Sequence, residues 1–212
     1  MTGCIDVHNH IVPESFPPYA GRGRDVPWPS MVQAHACHKH VMISGKLYRT
    51  VSDGCWSVPR RIEDMGGMGV GRQAISPMPE LLSYWLPLED AKVMVRYLND
   101  TIAAMIERAP TRFVGLGAVP LQDMDSALRE LEYVLQELKL SGVEIASHVN
   151  GVSIGDGRFE PFFAAAERLG RMSELTAIKM NLSRRAIEST SGAASLVALG
   201  PSLVTIIVVA RR

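Results

Sequence analysis

The stretch Arg112–Ala146, RFVGLGAVPLQDMDSALRELEYVLQELKLSGVEIA, decides the fold class. It opens on an apolar run, Phe113 to Val119, which Pro120 closes as a strand. Ala127, Leu128, Leu131, Val134, Leu135 and Leu138 then recur at helical spacing, with Asp123 or Asp125 available as the cap. A second strand, Gly142 to Ala146, follows at once. Two strands separated by a full helix are joined by a crossover, which makes them parallel neighbours in a sheet. Working outward, Met94, Tyr97, Leu98, Thr101, Met105 and Ile106 mark a helix over Leu88 to Arg108, and Arg72 to Ser76 is a β-like segment before it. Val58 to Met65 has the pattern of a helix, and Pro161 opens another that runs to Leu169. Cys4 to Val7 is a first strand leading into a loop. The pattern amounts to about four βα units, and the class is α/β with a parallel sheet. From Pro13 to Trp56 periodicity is weak and Pro17, Pro18, Pro27 and Pro29 punctuate the chain. This reads as an inserted loop over about 13–57 with a small hairpin near Lys46 to Ser52; loops of such length are usually functional or disordered.

Composition bounds the function. The chain has 212 residues, 47% hydrophobic and 21% charged, which excludes a disordered or fibrous protein. Its net charge is zero, so no global field favours nucleic acid or an anionic membrane. The charge is uneven: residues 171–212 carry a net +4 and the remainder −4, which sets the tail apart. Three unevenly spaced cysteines and an N-terminus without a secretory pattern lead to the expectation of a reducing cytoplasm. The longest apolar stretch, Ser195 to Ala210, is interrupted by Gly200 and Pro201 and falls short of the roughly 20 residues a bilayer requires.

Chemistry concentrates in Asp6-Val7-His8-Asn9-His10. Alternation along a strand turns His8 and His10 to one side, about 6–7 Å apart along the chain, where two imidazoles can share a divalent metal. In a parallel α/β fold this is also the carboxyl end of a strand, where active sites are built. Taken without context, a bare His-x-His also fits two exposed loop residues. The run His35-Ala-Cys37-His38-Lys-His40 offers four further donors, but no distant partner pair accompanies it, and a solvated loop is the better reading. Gly67, Gly69 and Gly71 follow a helix and precede a strand, the reverse of a dinucleotide-binding turn, and read as a connection. His148, directly after the GVEIA strand, suits either a loop or the lining of a site.

Five segments in order, IDVHNHIVPE, GKLYRTVSDGCW, SPMPELLSYWLPLEDA, RFVGLGAVPLQDMDSALREL and GVEIASHVNG, resemble the amidohydrolase-related metal-dependent decarboxylases. The likeness runs from Cys4 to about Gly170. It implies a distorted (β/α)8 TIM-barrel type of fold, of which this chain carries the first four or so units. It also implies a Zn²⁺ near the carboxyl end and removal of carboxylate as CO2 from a small unsaturated or aromatic carboxylate. By the same resemblance His8 and His10 are metal ligands, Arg49 binds the substrate carboxylate, and Trp85, His148 and Asn150 line the site. Arg49 is chemically apt, because a guanidinium fork pairs bidentately with a carboxylate.

The resemblance ends abruptly. Such enzymes continue into a His-Pro-Trp-Asp type motif, then a catalytic histidine and a metal-binding aspartate, whereas here no histidine follows His148 and no aspartate follows Asp156. No general acid or base is therefore assigned. Residues 1–170 are expected to form the barrel portion and residues 171–212 an atypical basic tail, as a shifted or truncated reading frame would produce. An open half-barrel leaves strand edges that favour homo-oligomers, and SLVTIIVVA could cover one of them. Hydrolysis on the same scaffold and a non-catalytic fragment remain the alternatives.

Overall fold

In the computed structural model, residues 4–23, 25–170 and 205–209 are described. Strand β1, Cys4–Ile11, leads into a three-stranded antiparallel sheet of β2 (Ser30–His35), β3 (His38–Ile43) and β4 (Lys46–Ser52). Helix α1, Val58–Gly67, then returns the chain to β5, Val70–Pro77. Helix α2 (Leu88–Arg108), β6 (Phe113–Gly117), α3 (Met124–Glu132), β7 (Gly142–Ala146), a two-stranded hairpin of β8 (His148–Val149) and β9 (Val152–Ser153), and α4 (Glu160–Gly170) complete the series. The main sheet has the order β1-β5-β6-β7-β10, where β10 is Thr205–Val209. Its first four strands are parallel and follow chain order, as successive βα units require. β10 lies antiparallel against β7, with Ile206 opposite Ile145, so the backbone of Thr205–Val209 covers that edge. Residues 171–204, which include most of the basic tail, lie outside the described residues.

Local chemistry explains the helix boundaries. Ser57 accepts a hydrogen bond from the Arg60 amide at the start of α1, and Pro59 occupies its first turn. Asp123, one of the two residues expected to cap α3, accepts from the Ser126 amide at 2.9 Å. Glu89 and Asp90 sit at the positive end of α2 and Arg108 at its negative end, a favourable arrangement with the helix dipole. α3 ends at Glu132 and passes into a wider π turn over Tyr133–Glu137, where the Leu138 amide donates to the Tyr133 carbonyl.

The core has two parts. Ile75, Phe113, Val143 and Ile145 of the main sheet pack with Val95 and Ile102 of α2 and Leu131 of α3. Val41 and Val51 of the small sheet pack with Met78, Leu81, Leu86, Met94 and Leu98. The second cluster docks the small sheet beside β5 and α2, which positions β4 for the site described below. Fully burying one such side chain contributes about 1.5–3 kcal/mol. Between α2 and β6 the backbones approach closely: a Cβ on Gly117 would fall 2.7 Å from the Asn99 side-chain oxygen. Asn99 is fully buried and satisfied, accepting from the Ala118 amide and donating to the Ala118 carbonyl and to Glu130.

Two expectations change. The segment read as a long loop with one small hairpin holds three strands beginning at Ser30. Its prolines precede β2 instead of interrupting it, and β2 has no fully buried side chain, so the pairing leaves little trace in hydrophobic alternation. β1 also extends four residues beyond Val7, so His8 and His10 belong to the strand itself. Among the described residues no helix is long and apolar enough to cross a membrane.

Candidate active site

The β1–β5 pairing slips between Asp6 and Asn9, in the segment that carries His8 and leads to His10. Their ring centroids are 4.5 Å apart with planes at 84°. Asp6 fixes the bend: its carboxylate accepts from the His8 amide at 3.1 Å, the Asn9 side-chain amide at 3.0 Å and Gln73 Nε2 at 3.2 Å. From α1, the buried Arg61 guanidinium donates to the His10 carbonyl at 2.9 Å, to Gln73 Oε1 at 3.3 Å, and to Asn9 Oδ1. It also reaches the Cys55 carbonyl at 3.4 Å. The strand end is thus held by a buried cation and a carboxylate that share Asn9 and Gln73 as partners.

His10 Nδ1 lies 3.1 Å from both the Pro77 carbonyl oxygen and Ser76 Oγ. A carbonyl oxygen can only accept, so this contact assigns the proton to Nδ1 and leaves the Nε2 lone pair for a ligand. Burial, reinforced by neighbouring His8, pushes the His10 pKa down to about 4. Burial also lowers that of His8, against the opposing influence of Asp6. Both imidazoles are therefore held in the neutral, electron-donating form that a metal needs.

Other groups surround the pair. Glu144 of β7, whose side chain is 1% exposed, places Oε2 3.7 Å from His10 Nδ1. Tyr48 of β4 donates its hydroxyl hydrogen to Glu80, and the charges of Glu80 and Arg49 both act on His10. The docked small sheet thus brings exposed Arg49 into electrostatic reach of the β1 histidines. Asn150 donates to the Tyr84 carbonyl at 2.8 Å, tying the loop after β8 to the neighbour of Trp85, which is 48% exposed. His148 is exposed and engages Ser147 Oγ at 3.0 Å. The structure thus associates His8, His10 and Arg49, and separately links the segments of Trp85 and Asn150.

Sequence reading missed Arg61, Gln73 and Glu144 as neighbours of the pair. Glu144 carried a usable signal, since it is the one charge in an otherwise apolar strand. Arg61 carried none, because it follows Arg60 on a helix that looks solvated.

Four parallel βα units with a His-x-His pair at the carboxyl end of the first strand define the leading half of a TIM-barrel-type domain. Residues 5–193 match the amidohydrolase family, and the chain belongs to it. The chain is 36% identical over 166 residues to 2-amino-3-carboxymuconate-6-semialdehyde decarboxylase of Dictyostelium discoideum, covering 78% of this chain and 46% of that protein. It is similar to the manganese-complexed 5-carboxyvanillate decarboxylase of Novosphingobium aromaticivorans, with TM-score 0.52 and 28% identity over 55% of this chain and 34% of that one. The 2,6-dihydroxybenzoate decarboxylase of Rhizobium shares the fold at TM-score 0.54 and 20% identity, over 80% of this chain and 48% of that one. The chain spans about half the length of the curated relatives it matches.

Proposed function

We propose that this chain carries the His-x-His and carboxylate-binding part of a metal-dependent carboxy-lyase site. The observation behind this reading is the close pairing of the His8 and His10 rings, with His10 Nδ1 engaged by the Pro77 carbonyl and Nε2 left to face a ligand. The donor set suits a borderline divalent ion, and Zn²⁺ or Mn²⁺ would be held by these two histidines. Bound there, the ion would supply Lewis-acid polarisation of a substrate oxygen. Arg49 would grip the carboxylate through its guanidinium fork, while Trp85, His148 and Asn150 would form the wall and rim. The substrate class is a small unsaturated or aromatic carboxylate, such as 2-amino-3-carboxymuconate 6-semialdehyde, and the product CO2. With two protein donors the ion stays largely hydrated, and no side chain is assigned as general acid or base, so turnover by this chain is expected to be impaired. Residues 1–170 act as the barrel-building unit, with 171–212 set apart by composition, and the protein works in a reducing compartment as a homo-oligomer.

Calorimetric titration of the Mn²⁺-loaded chain with 2,6-dihydroxybenzoate tests this reading, with product analysis alongside. Metal-dependent binding that weakens roughly tenfold or more in Arg49→Lys is expected, because hydrogen bonds to a charged group are worth about 1.5–3 kcal/mol. Any turnover should release CO2 without hydrolytic cleavage. Equal affinity with and without metal would contradict the assignment.

A further inference from the structure

A second group of metal-binding side chains lies at the turn between β2 and β3. His35, Cys37 and His38 each present one donor atom, and these atoms all lie within 4.8 Å of one another. Cys37 Sγ is 3.2 Å from His38 Nδ1, and the His35 and His38 rings stand 4.2 Å apart, centroid to centroid. Sequence spacing argued against a site here because one short loop supplied every donor. The hairpin register supplies what spacing could not show: after a slip between Gln33 and His35, His35 stands directly opposite His38 across the turn.

The turn is also braced by bonds that leave the donors available. Gln33 Nε2 donates to the His35 carbonyl at 2.6 Å and to the His38 carbonyl at 3.1 Å. The Asp53 amide donates to the Cys37 carbonyl at 2.8 Å. All three donor residues are therefore fixed through their backbones. With Zn–S of ~2.3 Å and Zn–N of ~2.0–2.1 Å, a tetrahedral ion needs donors about 3.3–3.7 Å apart. The sulfur–nitrogen pair already stands near that spacing, and the remaining closure is of the order of 1 Å, within reach of side-chain rotation. His35 and Cys37 are exposed and His38 half-buried, so an ion enters without opening the fold.

We propose that His35, Cys37 and His38 form a three-donor site for a borderline-soft divalent transition metal, Zn²⁺ foremost, with water in the fourth position. Binding breaks the Cys37 S–H bond and releases that proton to solvent; the thiolate pair forms the metal–sulfur bond and two neutral imidazoles complete the set. No redox change is involved. The thiolate donor disfavours harder ions such as Mg²⁺ and Mn²⁺, which sets this turn apart from the thiolate-free pair His8 and His10.

Co²⁺ substitution in the intact chain reads the site directly, because a cobalt–thiolate bond gives a charge-transfer absorption in the near ultraviolet that imidazoles do not. One equivalent of Co²⁺ should produce that band, and Zn²⁺ should displace it. The band should persist in the His8→Ala/His10→Ala protein and in Cys4→Ser, vanish in Cys37→Ser, and require roughly tenfold or more Co²⁺ in His35→Ala or His38→Ala. Circular dichroism of each variant checks that the fold is retained, and Mn²⁺ affinity provides a second readout that Cys37→Ser should leave unchanged. Absence of the band, its survival in Cys37→Ser, or a stoichiometry of one ion per two chains would overturn the proposal.

Discussion

The Arg61 guanidinium donates to the His10 carbonyl oxygen at 2.9 Å, so a cation buried in α1 clamps the strand end that presents both candidate donors. The same side chain reaches Asn9, Gln73 and the Cys55 carbonyl, and it is 5% exposed. Replacing it by methionine keeps the aliphatic bulk and strands these acceptors without a donor. The expected loss is about 2–4 kcal/mol of stability, measured as a lower urea midpoint, because buried polar groups left unpaired cost that order of free energy. Arg61→Lys should recover only part, since a single ammonium cannot span the fork.

Acid should weaken the metal-free chain in a defined window. The His10 pKa is about 4 in the folded protein against an ordinary 6.5, so between those values the unfolded chain binds more protons. Stability from His10 is complete above pH 6.5 and is lost as pH falls toward 4; His8, shifted in the same direction, adds to the slope. Urea titrations of chelator-treated protein across this window should show the decline, and His10→Gln should flatten it. An unchanged slope in His10→Gln would remove His10 as its source.

The glycines of β6 should tolerate no side chain. A Cβ on Gly115 would sit 2.4 Å from Ile106 Cδ1 and 2.9 Å from Leu140 Cδ2, and one on Gly117 would strike Asn99 and Val134. Gly115→Ala and Gly117→Ala should each lower stability by about 1–3 kcal/mol, the usual cost of overpacking. Gly66, inside α1 with open space around its Cβ position, provides the opposite case. Gly66→Ala should stabilise by roughly 0.5–1 kcal/mol, because alanine loses less backbone entropy in a helix. Thermal melts of the three variants compare the effects directly.

The sequence disclosed those elements whose burial follows a period. α2 buries Ala91, Met94, Val95, Leu98, Asn99, Ile102 and Met105 on one helical face, and its limits were legible for that reason. β7 is buried along its whole length, so GVEIA stood out as an apolar run. Of the small sheet only the Lys46 to Ser52 region was legible, because β3 buries only Val41 fully and the strands are held by mutual pairing. Within the site, the His-x-His pair was legible from residue type, but the irregular β1–β5 register around it is a property of two strands together. Arg61 acquires its role only through burial against β1, which no local pattern encodes.

Binding of Mn²⁺ by the purified chain, followed by electron paramagnetic resonance of the free ion, tests the central claim most directly, because a hard ion avoids the thiolate-bearing turn. The unaltered chain and Cys37→Ser should take up Mn²⁺ with one common affinity, and His8→Ala/His10→Ala should bind it roughly tenfold or more weakly, since loss of even the hydrogen-bond partners of metal ligands costs about that much. Equal uptake by the double-alanine protein would show that the paired histidines of β1 are not a metal centre.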